Sequence, residues 1–248
     1  MTEHIQVTRD GAVQTIRFNR AEKKNAITDA MYHALAEALE AGEADDSISV
    51  HVLLGQPGVF TAGNDVLDFM QFAAGADLGK SGVARYLRLQ PDIGKPFLAG
   101  VDGLAVGIGT TLLFHCDMVF ATPGAQFSTP FVNLGLVAEN ASSLLAPRIM
   151  GGVRAFELLA LAERFDAERA CQAGIINAVV APEELEAKVL DTAQRLAEKP
   201  QQALRQTKAL LKGDSAEIHA ASRRESEIFA ERLQSEEARN AFMAFMAR

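Results

Sequence analysis

Two glycine-punctuated stretches decide how this chain reads: Gly103–Asp117, GLAVGIGTTLLFHCD, and Phe60–Asp65, FTAGND. Both look like sharp turns leading into helices. Neither carries a side chain able to act as nucleophile and base together, so what they present is backbone N–H. Two N–H groups converging on one point suit an oxygen that gains negative charge during a reaction. In FTAGND, Gly63 sits where the backbone must bend, which frees the N–H of Asn64. Asp65 falls in the first turn of the next helix, where the dipole favours a carboxylate. Alone, the hexamer fits a tight turn with an Asp cap equally well. GLAVGIG alone also fits a phosphate loop or the close packing of a buried helix, although it lacks a Walker lysine and the GxGxxG spacing.

The rest of the chain narrows the class. Its 248 residues suffice for one large α/β domain or for a domain with an appendage. A hydrophobic fraction of 48% with 23% charged residues is that of a globular enzyme. A net charge of −8 argues against a nucleic-acid or anionic-membrane surface, so an anionic ligand needs a local basic patch. Arg20, Lys23 and Lys24 form the one beside a glycine-rich region. Cys116 and Cys171 have neither metal spacing nor a disulfide framework, and the five histidines are scattered. The amino terminus, MTEHIQVTRDG, lacks the basic and apolar regions of a secretory signal. These features predict a cytoplasmic protein with no metal, no cofactor of its own and no membrane span.

Alternation around Asp10-Gly11 predicts a β-hairpin from Ile5–Arg9 and Val13–Phe18. Helical periodicity through Met31, Leu35, Ala38 and Leu39 predicts a helix over Thr28–Ala41 with Thr28 as N-cap. Strands are expected at Val50–Leu54, Lys95–Val101, Asp117–Ala121 and Ile176–Val180. A helix is expected to open at Asp65–Phe72, with a loop over Ala73–Gly82 and a buried helix over Gly107–Cys116. From Ser142 the pattern is mainly helical, with Gly151-Gly152 and Gly174 as stops. Phe242, Met243, Phe245 and Met246 give the last helix a broad apolar face that its own core or another subunit must cover.

Four ordered segments together resemble the crotonase, or enoyl-CoA hydratase/isomerase, superfamily. Its NRP-x-x-x-NAL segment corresponds to Asn19-Arg20-Ala21 and Asn25-Ala26-Ile27. Its F-S-A-G-x-D loop corresponds to Phe60–Asp65, its K-P…G-x-A-x-G…C-D segment to Lys95–Asp117, and its F-D-A…G-x-x-N-x-V segment to Phe165–Val179. The resemblance implies an α/β fold with a crotonase-like ββα spiral core over residues 1–195. It also implies a helical C-terminal trimerisation region over 196–248, in a homotrimer or dimer of trimers. It implies an acyl-CoA substrate whose thioester oxygen is held by the N–H groups of Asn64 and Ile108. Ile108 stands where the family usually has glycine, which keeps the donor and changes only the local shape. The CoA and acyl groups are then expected against Arg20, Lys23, Lys24 and Ala26, against Thr61, Ala62, Gly63, Asp65 and Val66, and against Gly107, Phe131 and Asn140. The basic trio also fits a solvated charged turn.

Hydratases of this family use two glutamates. At the matching positions this chain has Thr111 and Phe131, and neither transfers a proton at neutral pH. One carboxylate stands nearby: Glu139 is the sole ionisable residue of TPFVNLGLVAENASS, Thr129–Ser143. Desolvation by such neighbours raises a carboxyl pKa towards neutrality, as a base that must return its proton requires. By itself Glu139 could equally cap the helix that follows. The context T-P-F-x-x-L-G-x-x-x-E-x-x-S-S, with Gly63-Asn64-Asp65, Val106-Gly107-Ile108 and Thr111-Leu112-Leu113, resembles the peroxisomal-type Δ3,Δ2-enoyl-CoA isomerases. It implies that Glu139 is the catalytic base, with Asn140 assisting. The alternatives are a hydratase, another enolate chemistry of the superfamily, and a non-catalytic acyl-CoA binding protein.

Overall fold

The computed structural model describes residues 2–73 and 78–246. The expected hairpin forms from β1 (Ile5–Asp10) and β2 (Val13–Phe18), pairing Ile5 with Phe18. Helix α1 (Asp29–Ala44) starts at Thr28, whose hydroxyl accepts the Met31 N–H at 3.3 Å, and it buries Met31, Tyr32, Leu35 and Leu39. Then β3 (Val50–Leu54), β4 (Val59–Thr61), α2 (Val66–Ala73) and α3 (Gly82–Leu89) follow. Of the predicted Ala73–Gly82 loop, residues 74–77 lie outside the described residues. Leu78–Lys80 is a 3-10 turn, and Ser81 caps the unanticipated α3 by accepting the Ala84 N–H at 3.2 Å.

The chain then repeats one unit: β5 (Phe97–Val101), β6 (Leu104–Val106) and α4 (Ile108–Thr111), then β7 (Met118–Ala121), β8 (Gln126–Ser128) and α5 (Ser142–Leu159). β9 (Phe165–Asp166), α6 (Ala167–Gln172) and β10 (Ala178–Val179) close the series before α7 (Leu185–Ala197). One sheet has the order β1-β2-β3-β5-β7-β10, and the other β4-β6-β8-β9. Each pass lays one strand in the first sheet and the next in the second, so the chain climbs as a spiral. Apart from the β1–β2 and β8–β9 edges, all pairs are parallel.

All five residues of β3 are buried because both faces of the first sheet are covered. Leu53 joins the large core shared with α1, while Val52 and Leu54 join Leu98, Phe120, Leu185 and Val189 under α7. A Cβ at Gly100 would come within 2.7 Å of Leu54 Cδ2 and 3.0 Å of Val189 Cγ2, so glycine is what lets α7 sit this close.

Two expectations change in detail, and two short strands stand where none was expected. The second-sheet strands β4 and β6 are three residues long, too short to show alternation. The predicted buried helix over Gly107–Cys116 is instead the one-turn α4 followed by a 3-10 turn over Leu112–His115. The two helices expected around Gly151 run on as α5, broken where Gly151 takes φ 78° and ψ 157°.

The last helices fold back onto their own chain. In α8 (Gln201–Lys212), the buried Lys208 ammonium donates to Lys95 C=O and to Asp117 Oδ2, each at 2.7 Å. α9 (Ser215–Leu233) lies against α5, and α10 (Glu236–Met246) against the 3-10 turn Val132–Leu134. Phe242 packs against the cluster of Phe131, Leu136 and Phe229, whereas Met243 stays 62% exposed. The side chains of Phe245 and Met246 lie outside the described residues. Among the described residues, no helix is long and apolar enough to cross a membrane.

Candidate active site

The FTAGND loop is clamped by the segment before α1. Asn25, buried at φ 52°, donates its amide to the carbonyls of Val59 (3.1 Å) and Phe60 (3.0 Å) and accepts the Arg20 N–H at 2.8 Å. Thr61, fully buried, donates to Asn25 C=O at 2.6 Å and accepts the Gly63 N–H at 3.1 Å. Gly63 takes φ 89°, and a Cβ there would lie 2.7 Å from Val106 C=O, so only glycine lets the loop touch β6. Ile27 N–H donates to Gly63 C=O (2.8 Å) and Asp65 N–H to Ile27 C=O (2.9 Å). With its neighbours committed to Ile27 on one side, Asn64 turns its own N–H the other way, as alternation along a ladder requires. That N–H has no acceptor among the described residues.

Gly107 supplies the second turn, at φ 58° and ψ −119°. A Cβ there would make only ordinary contact with Phe131, so the backbone conformation and not space demands glycine. Its N–H is held by Ser128 C=O at 2.8 Å, and its C=O accepts from Thr110 and Thr111. Ile108 is thus the first residue of α4, where an N–H has no intrahelical partner. Its side chain is buried in the core, so isoleucine keeps the donor of the usual glycine and turns its bulk away.

Two cavities meet here. One of about 460 Å³ is lined by Tyr32, Asn64, Asp65, Leu87, Glu139 and Phe229, among others. The other, about 700 Å³, is lined by Ala62, Gly63, Val66, Gly107, Ile108, Phe131 and Phe242, and again by Asn64 and Phe229. Both are mainly apolar, which suits an acyl chain and its carrier more than a sugar or a bare phosphate.

Glu139 is 6% exposed, and Thr111, also buried, donates its hydroxyl to Glu139 Oε1 at 2.5 Å. Burial pushes the Glu139 pKa up to about 8; the Thr111 hydrogen bond lowers it and the nearby Glu225 carboxylate raises it. Its side chain does not cap α5. That task falls to Glu225 of α9, which accepts the Ser143 N–H at 2.8 Å. Phe131 stacks edge-on with Phe229, ring centres 6.5 Å apart.

The structure redirects three of the expected ligand contacts. Arg20 is committed to Asp65 Oδ2 at 2.6 Å and to Ala26 C=O at 2.9 Å, so this pair ties the loop to α1. Burial raises the Asp65 pKa, but the bonds from Arg20 and the Leu67 N–H outweigh it and leave the carboxyl below its usual range. Thr61 supports the loop from inside. Asn140 gives its side-chain oxygen to Gln90 and its carbonyl to His115, so it braces the turn and lines neither cavity among the described residues. Lys23 and Lys24 are exposed on a 3-10 turn. Sequence reasoning missed Tyr32, whose hydroxyl donates to Asn64 Oδ1, and Phe229, which walls both cavities. Tyr32 stands in the apolar face of α1, where a polar tip is a usable signal. Phe229 leaves none, being distant in sequence from everything it touches.

The ββα spiral thus brings the Asn64 and Ile108 turns and the buried Glu139 carboxylate to one pair of neighbouring cavities. The chain belongs to the enoyl-CoA hydratase/isomerase family, whose model matches residues 8–248. It is 34% identical over 252 residues to enoyl-CoA delta isomerase 2 of Homo sapiens, covering 99% of this chain but 64% of that protein's length. It is 37% identical over 203 residues to the 1,2-epoxyphenylacetyl-CoA isomerase of Escherichia coli, covering 79% of this chain and 76% of the relative. The solved structure of Pseudomonas aeruginosa OdaA superposes with a TM-score of 0.95 at 40% identity, covering 100% of both chains. The spiral is therefore the crotonase fold.

Proposed function

We propose that this protein is a Δ3,Δ2-enoyl-CoA isomerase working with a single base. The observation that carries the reading is the buried carboxylate of Glu139, which lines the smaller cavity and is hydrogen-bonded by the very threonine that replaces a hydratase glutamate. In this reading the thioester carbonyl sits at Asn64, where the cavities join, and accepts from the N–H groups of Asn64 and Ile108. The acyl chain runs past Glu139 into the smaller cavity, and the pantetheine arm past Val66 and Phe131 into the larger one.

Glu139 removes a C2 proton from a 3-enoyl-CoA. The electron pair spreads over a dienolate whose oxygen gains charge between the two donors, each contributing about 3 kcal/mol. Protonated Glu139 returns the proton at C4, so C3=C4 is consumed as C2=C3 forms. One carboxylate suffices because removal and return take place on one face. Neighbours such as Tyr32 and Phe229 keep the base desolvated, which supports a pKa matched to both halves of the cycle. Lys23 and Lys24 are the cations left for the CoA phosphates, and CoA arrives as part of the substrate. Cytoplasmic assembly as a trimer or dimer of trimers belongs to the same reading, supported by the apolar surface of Val153, Phe156 and Met243.

The test is a side-by-side assay of one preparation for isomerisation of a 3-enoyl-CoA and hydration of crotonyl-CoA. Isomerisation is expected to dominate, and hydration as the faster reaction would overturn the assignment.

A further inference from the structure

The turn that carries Glu139 is held by polar side chains that each keep one atom unused. Asn140 and Ala141 adopt left-handed backbone, φ 61° and 57°, which costs energy in residues with a Cβ. Hydrogen bonds hold them there. His115 Nε2 donates to Asn140 C=O at 2.9 Å, Gln90 Nε2 to Asn140 Oδ1 at 3.0 Å, and Ser142 N–H to Glu139 C=O at 3.1 Å. Gln90, His115, Asn140 and Ser142 are all buried. Yet among the described residues Gln90 Oε1, His115 Nδ1, Asn140 Nδ2 and Ser142 Oγ have no protein partner, nor has Tyr86 Oη, one turn before Gln90. Each buried polar atom left unpaired costs about 1–3 kcal/mol, so a group of them around one turn calls for a ligand.

The chemistry of these atoms selects that ligand. His115 spends its proton on a carbonyl, so Nδ1 is an acceptor; Gln90 Oε1 accepts, Asn140 Nδ2 donates, and the two hydroxyls do either. A cation would face the Asn140 Nδ2 donor, and the one buried carboxylate oxygen without a partner among the described residues is Glu225 Oε2, because Thr111 already engages Glu139 and the Ser143 N–H takes Glu225 Oε1. An anion would face two acceptors beside a carboxylate. Water both donates and accepts, and an internal water typically takes about three such bonds.

We propose that this polar cell behind Glu139 binds ordered internal water, and that the proton taken by Glu139 exchanges with it during turnover. The exchange half rests on the isomerase reading. Glu139 carboxylic acid, formed with the proton from C2, hands that proton to the water and receives one of the water's own; the second proton goes to C4. Nothing is oxidised or reduced.

Two measurements test it. A high-resolution crystal structure of the wild-type protein is expected to show water hydrogen-bonded to at least two of the five atoms. A dry cell, or mutual pairing of those atoms, overturns the site whatever the reaction. Next, a 3-enoyl-CoA deuterated at C2 is turned over in ordinary water and the label at C4 read by mass spectrometry. Wild type should lose label, and Tyr86→Phe with Ser142→Ala should retain about twofold more at nearly unchanged kcat. Full retention by wild type overturns the exchange. Tyr86→Phe alone serves if the double variant fails to fold. If wild type forms no isomer at all, the isomerase reading fails separately. Exchange is then read as wash-in of deuterium at C2 of a saturated acyl-CoA in heavy water, and no wash-in overturns it.

Discussion

Thr111 donates its hydroxyl to Glu139 Oε1 at 2.5 Å, with both side chains buried. The position where a hydratase carries a carboxylate here supports the remaining one. A hydrogen bond to the ionised form favours that form, so removing it should raise the pKa of Glu139 further. Thr111→Val is expected to move the midpoint of the kcat/KM against pH profile upward, and Thr111→Ser to leave it in place. An unmoved midpoint in the valine variant would contradict the link.

The pKa of about 8 also makes a signed prediction for wild type. The base must be ionised, so kcat/KM should rise with pH through about 8 and level off above. Stability runs the other way. The folded carboxyl lies above its unfolded value of about 4.3, so between the two the native state binds more protons. Unfolding free energy should therefore fall as pH rises through this window and flatten beyond it. Each pKa unit is worth about 1.4 kcal/mol. Glu139→Gln should melt higher than wild type at pH above 8 and close to it in mild acid, which calorimetry across pH would establish.

Arg20 and Lys23 should fail in different ways. Arg20 pairs with Asp65, both mostly shielded from solvent, and its loss leaves the loop untied. Arg20→Ala is expected to cost about 1.5–3 kcal/mol of stability. Lys23→Ala should leave stability unchanged and raise KM for acyl-CoA, with kcat unaffected. Denaturant melts and steady-state kinetics on both variants decide between these roles, and equal KM effects without a stability difference would refute them.

Tyr32 holds the side chain of Asn64 from α1. Tyr32→Phe keeps the ring and frees the loop, so turnover should drop about tenfold, equivalent to about 1.4 kcal/mol, the scale of one hydrogen bond. A variant with unchanged kcat would mean that the backbone clamp at Ile27 positions the loop unaided.

The fold was legible wherever the pattern was long enough to repeat. The hairpin, α1 with its Thr28 cap and the buried β3 follow from period and punctuation. β4 and β6 escaped because three residues carry no alternation. α3 escaped because its stripe, around the buried Tyr86, is only two turns long. At the site, the roles given to Asn64, Ile108 and Glu139 come from the resemblance to the family's motifs, with glycine and an isolated charge as the local marks beside them. Arg20 was misread because charge beside a glycine loop looks alike whether it meets a phosphate or an aspartate 45 residues on. Phe229 and Glu225 reach the site only through tertiary folding of α9, and local sequence is silent on that.

The central claim is that one carboxylate does all the proton work. Glu139→Gln, shown to be folded by its melting curve, should be assayed on a 3-enoyl-CoA. A loss of isomerase turnover of about 10²–10⁴-fold is expected. Near-native turnover in the folded variant would contradict the account.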